Sequence, residues 1–176
     1  TGYGKSADDF NYLFSRAVGG LLISVDQAFE RWKEIEGNAG LEGLRWNVKE
    51  LDDQMRHGLL PGQVITLIAK TGSGKTMMSL NLFHRMAAIK PDLKILFVSL
   101  EQTRNEWFER AHRIHTFYDP WASTADTLDF WRDRMFIVDK NRVSEDELES
   151  CIDQYQYEMD ELPDFVCVDY LGYYSR

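Results

Sequence analysis

The residues of this chain best suited to chemistry are Gly72, Ser73, Gly74, Lys75 and Thr76, which follow Ala69, Lys70 and Thr71 at the end of the apolar stretch Val64–Ala69. Glycines at 72 and 74 let backbone N–H groups turn inward around an anion. Lys75 can then reach the β- and γ-phosphates of a polyphosphate, and the Thr76 hydroxyl is placed to ligate Mg²⁺. The strict spacing of a phosphate-binding loop asks for glycine where Ala69 stands. The context supplies what the bare pattern lacks: a strand is expected over Val64–Ala69, and a helix over Thr76–Ile89 whose positive end faces the loop. A Gly/Ser turn with a surface lysine is the plainer alternative, and it explains neither flank.

Nucleotide hydrolysis further needs an acid that holds the metal and a base that orients the attacking water. Phe165–Val168 is expected as a buried strand, and Asp169 stands at its C-terminal tip, where α/β sheets bind their ligands. That position suits a metal-holding carboxylate. The next residue is Tyr170, so no Asp-Glu pair supplies the base there. Leu93–Leu100 is a second expected strand, and Glu101 directly after it is the candidate base, with Glu106 and Glu109 as substitutes.

These elements must be positioned by the rest of the chain. Ser24–Glu36 is expected to be an amphipathic helix, with Ser24 and Gln27 as a capping box and Val25, Ala28, Phe29, Trp32 and Ile35 on one face. It could pack on the chain's own core or on a neighbouring subunit. Gly37–Gly43 is expected to be a linker, and Pro61-Gly62 a turn. Glu101–Thr116 is expected to be helical and Phe117–Asp133 loop-like. Met135–Val138 is expected as a strand, and Ser144–Met159 as a capped acidic helix. Alternating strands and helices predict an α/β domain with a largely parallel sheet. The domain limits expected are an arm over 1–23, helix and linker over 24–43, and the nucleotide domain over 44–176.

Composition narrows the function classes. With 176 residues, 44% hydrophobic and 28% charged, the chain suits one globular core. No apolar run reaches the roughly 18 residues of a membrane helix. Cys151 and Cys167 fit no metal spacing, and a small buried thiol is expected at Cys167. A net charge of −9 argues against a generally basic nucleic-acid surface. Nine acidic residues and no basic ones lie between Ser144 and Asp164, which reads as a solvated helix face. His57, His84, His112 and His115 form no convincing metal set, and most aromatic residues fall at core-like spacings rather than as base-stacking platforms.

The Lys-Thr loop, the Phe97-Val-Ser-Leu-Glu101 strand end and Phe165-Val-Cys-Val-Asp-Tyr-Leu171 together resemble the motor of DnaB-type replicative helicases, a branch of the RecA-like ATPases. Leu51-Asp52 and Gly58–Gln63 are similar to that family's lead-in to the phosphate loop, and the resemblance spans roughly Leu44 to Leu171. Gly172 departs from it, standing where the family usually has glutamine. The resemblance implies a RecA-like P-loop fold that binds and hydrolyses ATP with Mg²⁺. Lys75 and Thr76 would serve the phosphates and metal, Glu101 the water, and Asp169 the metal. It also implies a homo-oligomeric ring, a hexamer by analogy, hydrolysing ATP at subunit interfaces to move along single-stranded DNA. Primase or loader proteins would be possible partners in a bacterial or phage-infected cytoplasm, with no membrane involved. A chain that begins at Thr1 and stops after a strand signal suggests a piece of a longer protein. The family's DNA loops and arginine finger are then expected beyond Arg176. Other RecA-like ATPases, recombinases or clock-type regulators, and a nucleotide-binding docking module are the rival readings.

Overall fold

The computed structural model describes residues 24–26, 28–30, 33, 43–55 and 58–169. The chain divides into two compact units, Thr1–Ile65 and Thr66–Arg176. The N-terminal arm, the proposed cap residue Gln27, most of the linker, and Tyr170, Leu171 and Gly172 lie outside the described residues. Of the expected Ser24–Glu36 helix, Val25, Asp26, Ala28, Phe29, Glu30 and Lys33 are helical. Val25 and Phe29 are exposed.

In the first unit, helix α1 (Lys49–Gln54) is held by Asp52, whose carboxylate accepts from the backbone N–H of Trp46 at 2.8 Å and of Val48 at 3.1 Å. Leu44 and Leu59 form an antiparallel bridge beside it. Gly58 sits at φ 69°, and a Cβ there would come within 2.7 Å of the Gly43 carbonyl oxygen, so this position requires glycine.

The second unit is a three-stranded parallel sheet in the order β2-β1-β3, flanked by helices. Its elements in chain order are α2 (Lys75–Ile89), β1 (Ile95–Ser99), α3 (Arg104–Tyr118), α4 (Thr124–Trp131), β2 (Met135–Asp139), α5 (Glu145–Met159) and β3 (Phe165–Asp169). All five residues of the central strand β1 are buried, as a parallel strand covered on both faces demands. Phe97 packs edge-on against Phe83 of α2 at 6.5 Å and Trp107 of α3 at 6.4 Å. Phe136 meets Tyr155 of α5 at 4.9 Å. Successive side chains of a strand alternate between faces, so α2 and α3 cover one face and α5 the other.

Capping explains where the helices start. Thr103, Ser123 and Ser144 each accept from the backbone N–H three residues on. Glu106, Asp126 and Glu147 reach back to the cap N–H in turn. These bonds to the charged form hold all three carboxyls below the usual carboxylate range. The acidic helix α5 buries Ile152 and Tyr155 and leaves most of its carboxylates in water, as expected for a solvated face.

Three expectations are corrected. Val64–Ala69 forms no strand among the described residues, and it is exposed, Val64 at 91% and Ile68 at 87%. An apolar run becomes a strand only where a ladder partner takes up its N–H and C=O groups, and no strand of the β2-β1-β3 sheet pairs with it. Phe117–Asp133 is not one loop, because Ser123 and Asp126 cap α4 within it. Most described aromatic residues pack as expected, Trp107 and Trp131 among them, whereas Trp121 is 94% exposed and Phe117 76%. The third is β3, which is only partly buried, although burial pushes the Cys167 thiol pKa up to about 12.

The described histidines lie in packing, and His57 lies outside the described residues. His84 is buried, stacked between Tyr118 at 4.7 Å and Phe130 at 4.4 Å, and its Nε2 shares a hydrogen bond of 3.0 Å with His115 Nδ1. His112 Nδ1 bonds Thr127 Oγ1 at 2.7 Å.

Candidate nucleotide site

Parallel register brings the C-terminal ends of the strands into one row, Asp139, Ser99 and Asp169. This edge faces the start of α2. The Leu100 N–H donates to the Asp169 carbonyl at 2.7 Å, so the β1 and β3 ends hold each other.

On the helix side, Gly72 and Gly74 have φ of 77° and 90°, and Gly74 is the N-cap of α2. Both lie in the left-handed region that glycine adopts without strain. A Cβ at either would meet nothing within 4 Å, so the loop interior is open and the need for glycine is conformational rather than steric. Ser73 closes the loop by donating to the Lys70 carbonyl at 2.6 Å. Lys75 Nζ donates to the carbonyls of Ala69 at 3.2 Å and Lys70 at 3.3 Å, which keeps the ammonium beside the loop. The first turn of α2 contains no acidic residue, so nothing there opposes an anion at the helix N-terminus.

Strand and helix meet at a buried hydrogen bond. Thr76 Oγ1 donates to Asp169 Oδ2 at 2.6 Å, and Gln102 Nε2 donates to Thr76 Oγ1 at 3.0 Å. All three residues are buried. A hydroxyl oxygen has two lone pairs. With its proton on Asp169 and one lone pair used by Gln102, Thr76 keeps one lone pair for a cation. Gln102 Oε1 is buried without any hydrogen-bond partner, a second oxygen left over at the same place. Hydroxyl, carboxylate and amide oxygens are hard donors of the kind Mg²⁺ takes, and that ion commonly completes its shell with phosphate and water. The donor set therefore fits a magnesium nucleotide. Among the described residues no group of three or more His, Cys, Asp or Glu could hold a metal by itself.

The sequence-derived candidates fall into two groups. Ala69, Lys70, Thr71, Gly72, Ser73, Gly74 and Lys75 form the loop that leads into Thr76, and Thr76 meets Asp169 at this edge. Glu101 is exposed, two residues past β1 and next to Gln102, with no hydrogen bond to the cluster. Gln102 is the residue that sequence reasoning missed. Its only signal was an amide following an apolar strand and an acid, too common a pattern to single out. Ser99 sets it, with Oγ donating to the Gln102 carbonyl at 2.7 Å and accepting its N–H at 3.2 Å.

A parallel α/β sheet with a glycine loop opening a helix opposite the strand ends defines the RecA-like P-loop class. The chain belongs to the AAA domain family, whose model matches residues 26–174. It is also similar to the replicative DNA helicase DnaB of Leifsonia xyli subsp. xyli (strain CTCB07), 38% identical over 86 residues. The match covers 49% of this chain and 18% of that protein. Among the described residues no helix is long and apolar enough to cross a membrane.

Proposed function

We propose that this chain carries the ATP-binding and ATP-hydrolysing centre of a DnaB-like helicase motor. The observation that supports it most is the buried Gln102–Thr76–Asp169 hydrogen-bond chain, which joins the loop helix to the β3 tip in the arrangement a magnesium nucleotide needs. Lys75 and the loop N–H groups other than that of Ser73, which donates to the Lys70 carbonyl, bind the phosphates, and Thr76 and Asp169 orient the metal and its water. Glu101 accepts the proton of the attacking water. A Mg²⁺ ion held by Thr76 and Asp169 would supply charge neutralisation to the phosphates. The similarity to DnaB supports the larger setting, a homo-oligomeric ring, hexameric by analogy, that hydrolyses ATP at subunit interfaces and moves along single-stranded DNA in the cytoplasm.

The test is calorimetric titration of ATP with Mg²⁺ into wild-type and Lys75→Ala protein. Lys70 is the other lysine of the loop, and its carbonyl, not its ammonium, is built into the loop. Loss of tight binding in Lys75→Ala supports the assignment, and equal affinities overturn it.

A further inference from the structure

The pocket between α3, α4 and the edge strand β2 shares no lining residue with the Gln102–Thr76–Asp169 cluster. Its volume is about 200 Å³, and its lining includes Trp107, Trp131, Met135 and Ile137, with Arg104 and Arg132 contributing two guanidinium groups and no carboxylate. A site for a cofactor or drug-sized ligand usually holds about 300–1,000 Å³. This one is the size of a single apolar side chain. We propose that it docks an extended acidic peptide segment of a partner protein, which adds a strand to the β2 edge and places one apolar side chain in the pocket.

The edge supplies the first argument. Among the described residues β2 pairs with β1 alone, so the outward backbone groups of Met135–Asp139 have no strand partner there. An extended peptide beside such an edge gains main-chain hydrogen bonds, and alternate side chains fall on one face. Met135 and Ile137 are two apart and both line the pocket, while Phe136 between them turns to Tyr155 on the opposite face. Every second side chain of an added strand therefore lies over the pocket.

Charge supplies the second. The side chains of Arg104 and Arg132 are 75% and 58% exposed, and each is oriented by one carboxylate outside the lining, Asp139 at 3.1 Å and Asp129 at 2.9 Å. A guanidinium has five N–H donors in a planar fork, so one such contact leaves donors for a partner's carboxylate. The indole N–H groups of Trp107 and Trp131 are both buried without an acceptor, although these side chains line the pocket. Buried donors left in this state are costly. The exposed guanidinium groups of Arg104 and Arg132, rather than the buried indoles, are what a partner's carboxylates reach.

The probe is a capped, fluorescein-labelled seven-residue peptide of two glutamates, valine, phenylalanine, valine and two glutamates, titrated into the 176-residue chain by anisotropy. Saturable binding is expected, at least about tenfold weaker for a peptide with lysines replacing the glutamates. Leu128→Trp, which fills the mouth, and the double variant Arg104→Ala/Arg132→Ala should each weaken it by about tenfold or more. Leu128 is 48% exposed and both arginines are exposed, so unchanged circular-dichroism melting should accompany these losses. No saturable binding up to about 1 mM, equal binding of the lysine peptide, or indifference to Leu128→Trp each overturns the proposal. So does self-association of the chain that Leu128→Trp abolishes without any peptide binding, because a second copy would then be the occupant.

Discussion

Thr76 Oγ1 donates to Asp169 Oδ2 at 2.6 Å across 93 residues of chain, and both side chains are buried. The bond joins the first turn of α2 to the last residue of β3. It therefore couples the stability of the domain to its candidate chemistry. Thr76→Ala removes the hydroxyl from a buried carboxylate, and hydrogen bonds to charged groups contribute about 1.5–3 kcal/mol. The unfolding free energy in urea should fall by about that amount. Thr76→Ser, which keeps the hydroxyl, should lose much less, and equal losses from both variants would reduce the effect to packing.

Gln102 separates ligand binding from stability. Gln102→Met keeps the volume, removes the donor to Thr76, and also removes the orphaned acceptor Oε1. Little net change in folding is expected because these effects oppose each other. Mg²⁺-dependent ATP affinity should drop by about tenfold, equivalent to about 1.4 kcal/mol, while Mg²⁺-free nucleotide binding is spared. Calorimetry with and without the metal reads both.

Glu101→Gln should leave ATP binding near wild type and lower turnover by on the order of 10²–10⁴, the usual worth of a positioned general base. The comparison is made by phosphate release in an assembly that turns over ATP. Glu106 is a poor substitute, since its carboxylate is committed to the Thr103 backbone N–H and hydroxyl, both at 2.9 Å. Wild-type turnover in Glu101→Gln would direct attention to Glu109.

Most of the second unit was legible because its signals are local. The helix after Lys75, the strands ending at Ser99, Asp139 and Asp169, and the Ser144 cap each follow from a run of apolar residues or a cap within a few positions. Helix α4 was hidden by Phe117, Tyr118, Pro120 and Trp121, which read as an irregular aromatic segment, although Ser123 and Asp126 held its cap. Val64–Ala69 shows the opposite failure. Its apolar composition is that of a buried strand, but pairing is a tertiary property that no local pattern supplies. The Thr76–Asp169 meeting was legible as two motifs, whereas the Gln102 contact depends on a Ser99 turn that spacing alone does not reveal.

His84 makes folding sensitive to pH. Burial first, then the neighbouring His115 and Arg85, lower its pKa from the ordinary value of 6.5 to about 4. Burial also lowers His115, which shares the 3.0 Å bond with it, while Asp119 and Asp126 draw His115 back up. Tyr118, Phe130 and Trp131 complete the pocket around the His84 ring. A histidine whose folded pKa is depressed favours the folded state fully above the unfolded value. That contribution declines as pH falls from about 6.5 toward 4, because the unfolded chain takes up the proton first. Between about pH 7.5 and pH 5 the loss from His84 is on the order of 2 kcal/mol. Urea unfolding at those two pH values measures it. In His84→Phe, which keeps an aromatic ring between Tyr118 and Phe130 but cannot titrate, most of the difference should vanish. An unchanged pH dependence in that variant would assign the effect to groups other than His84.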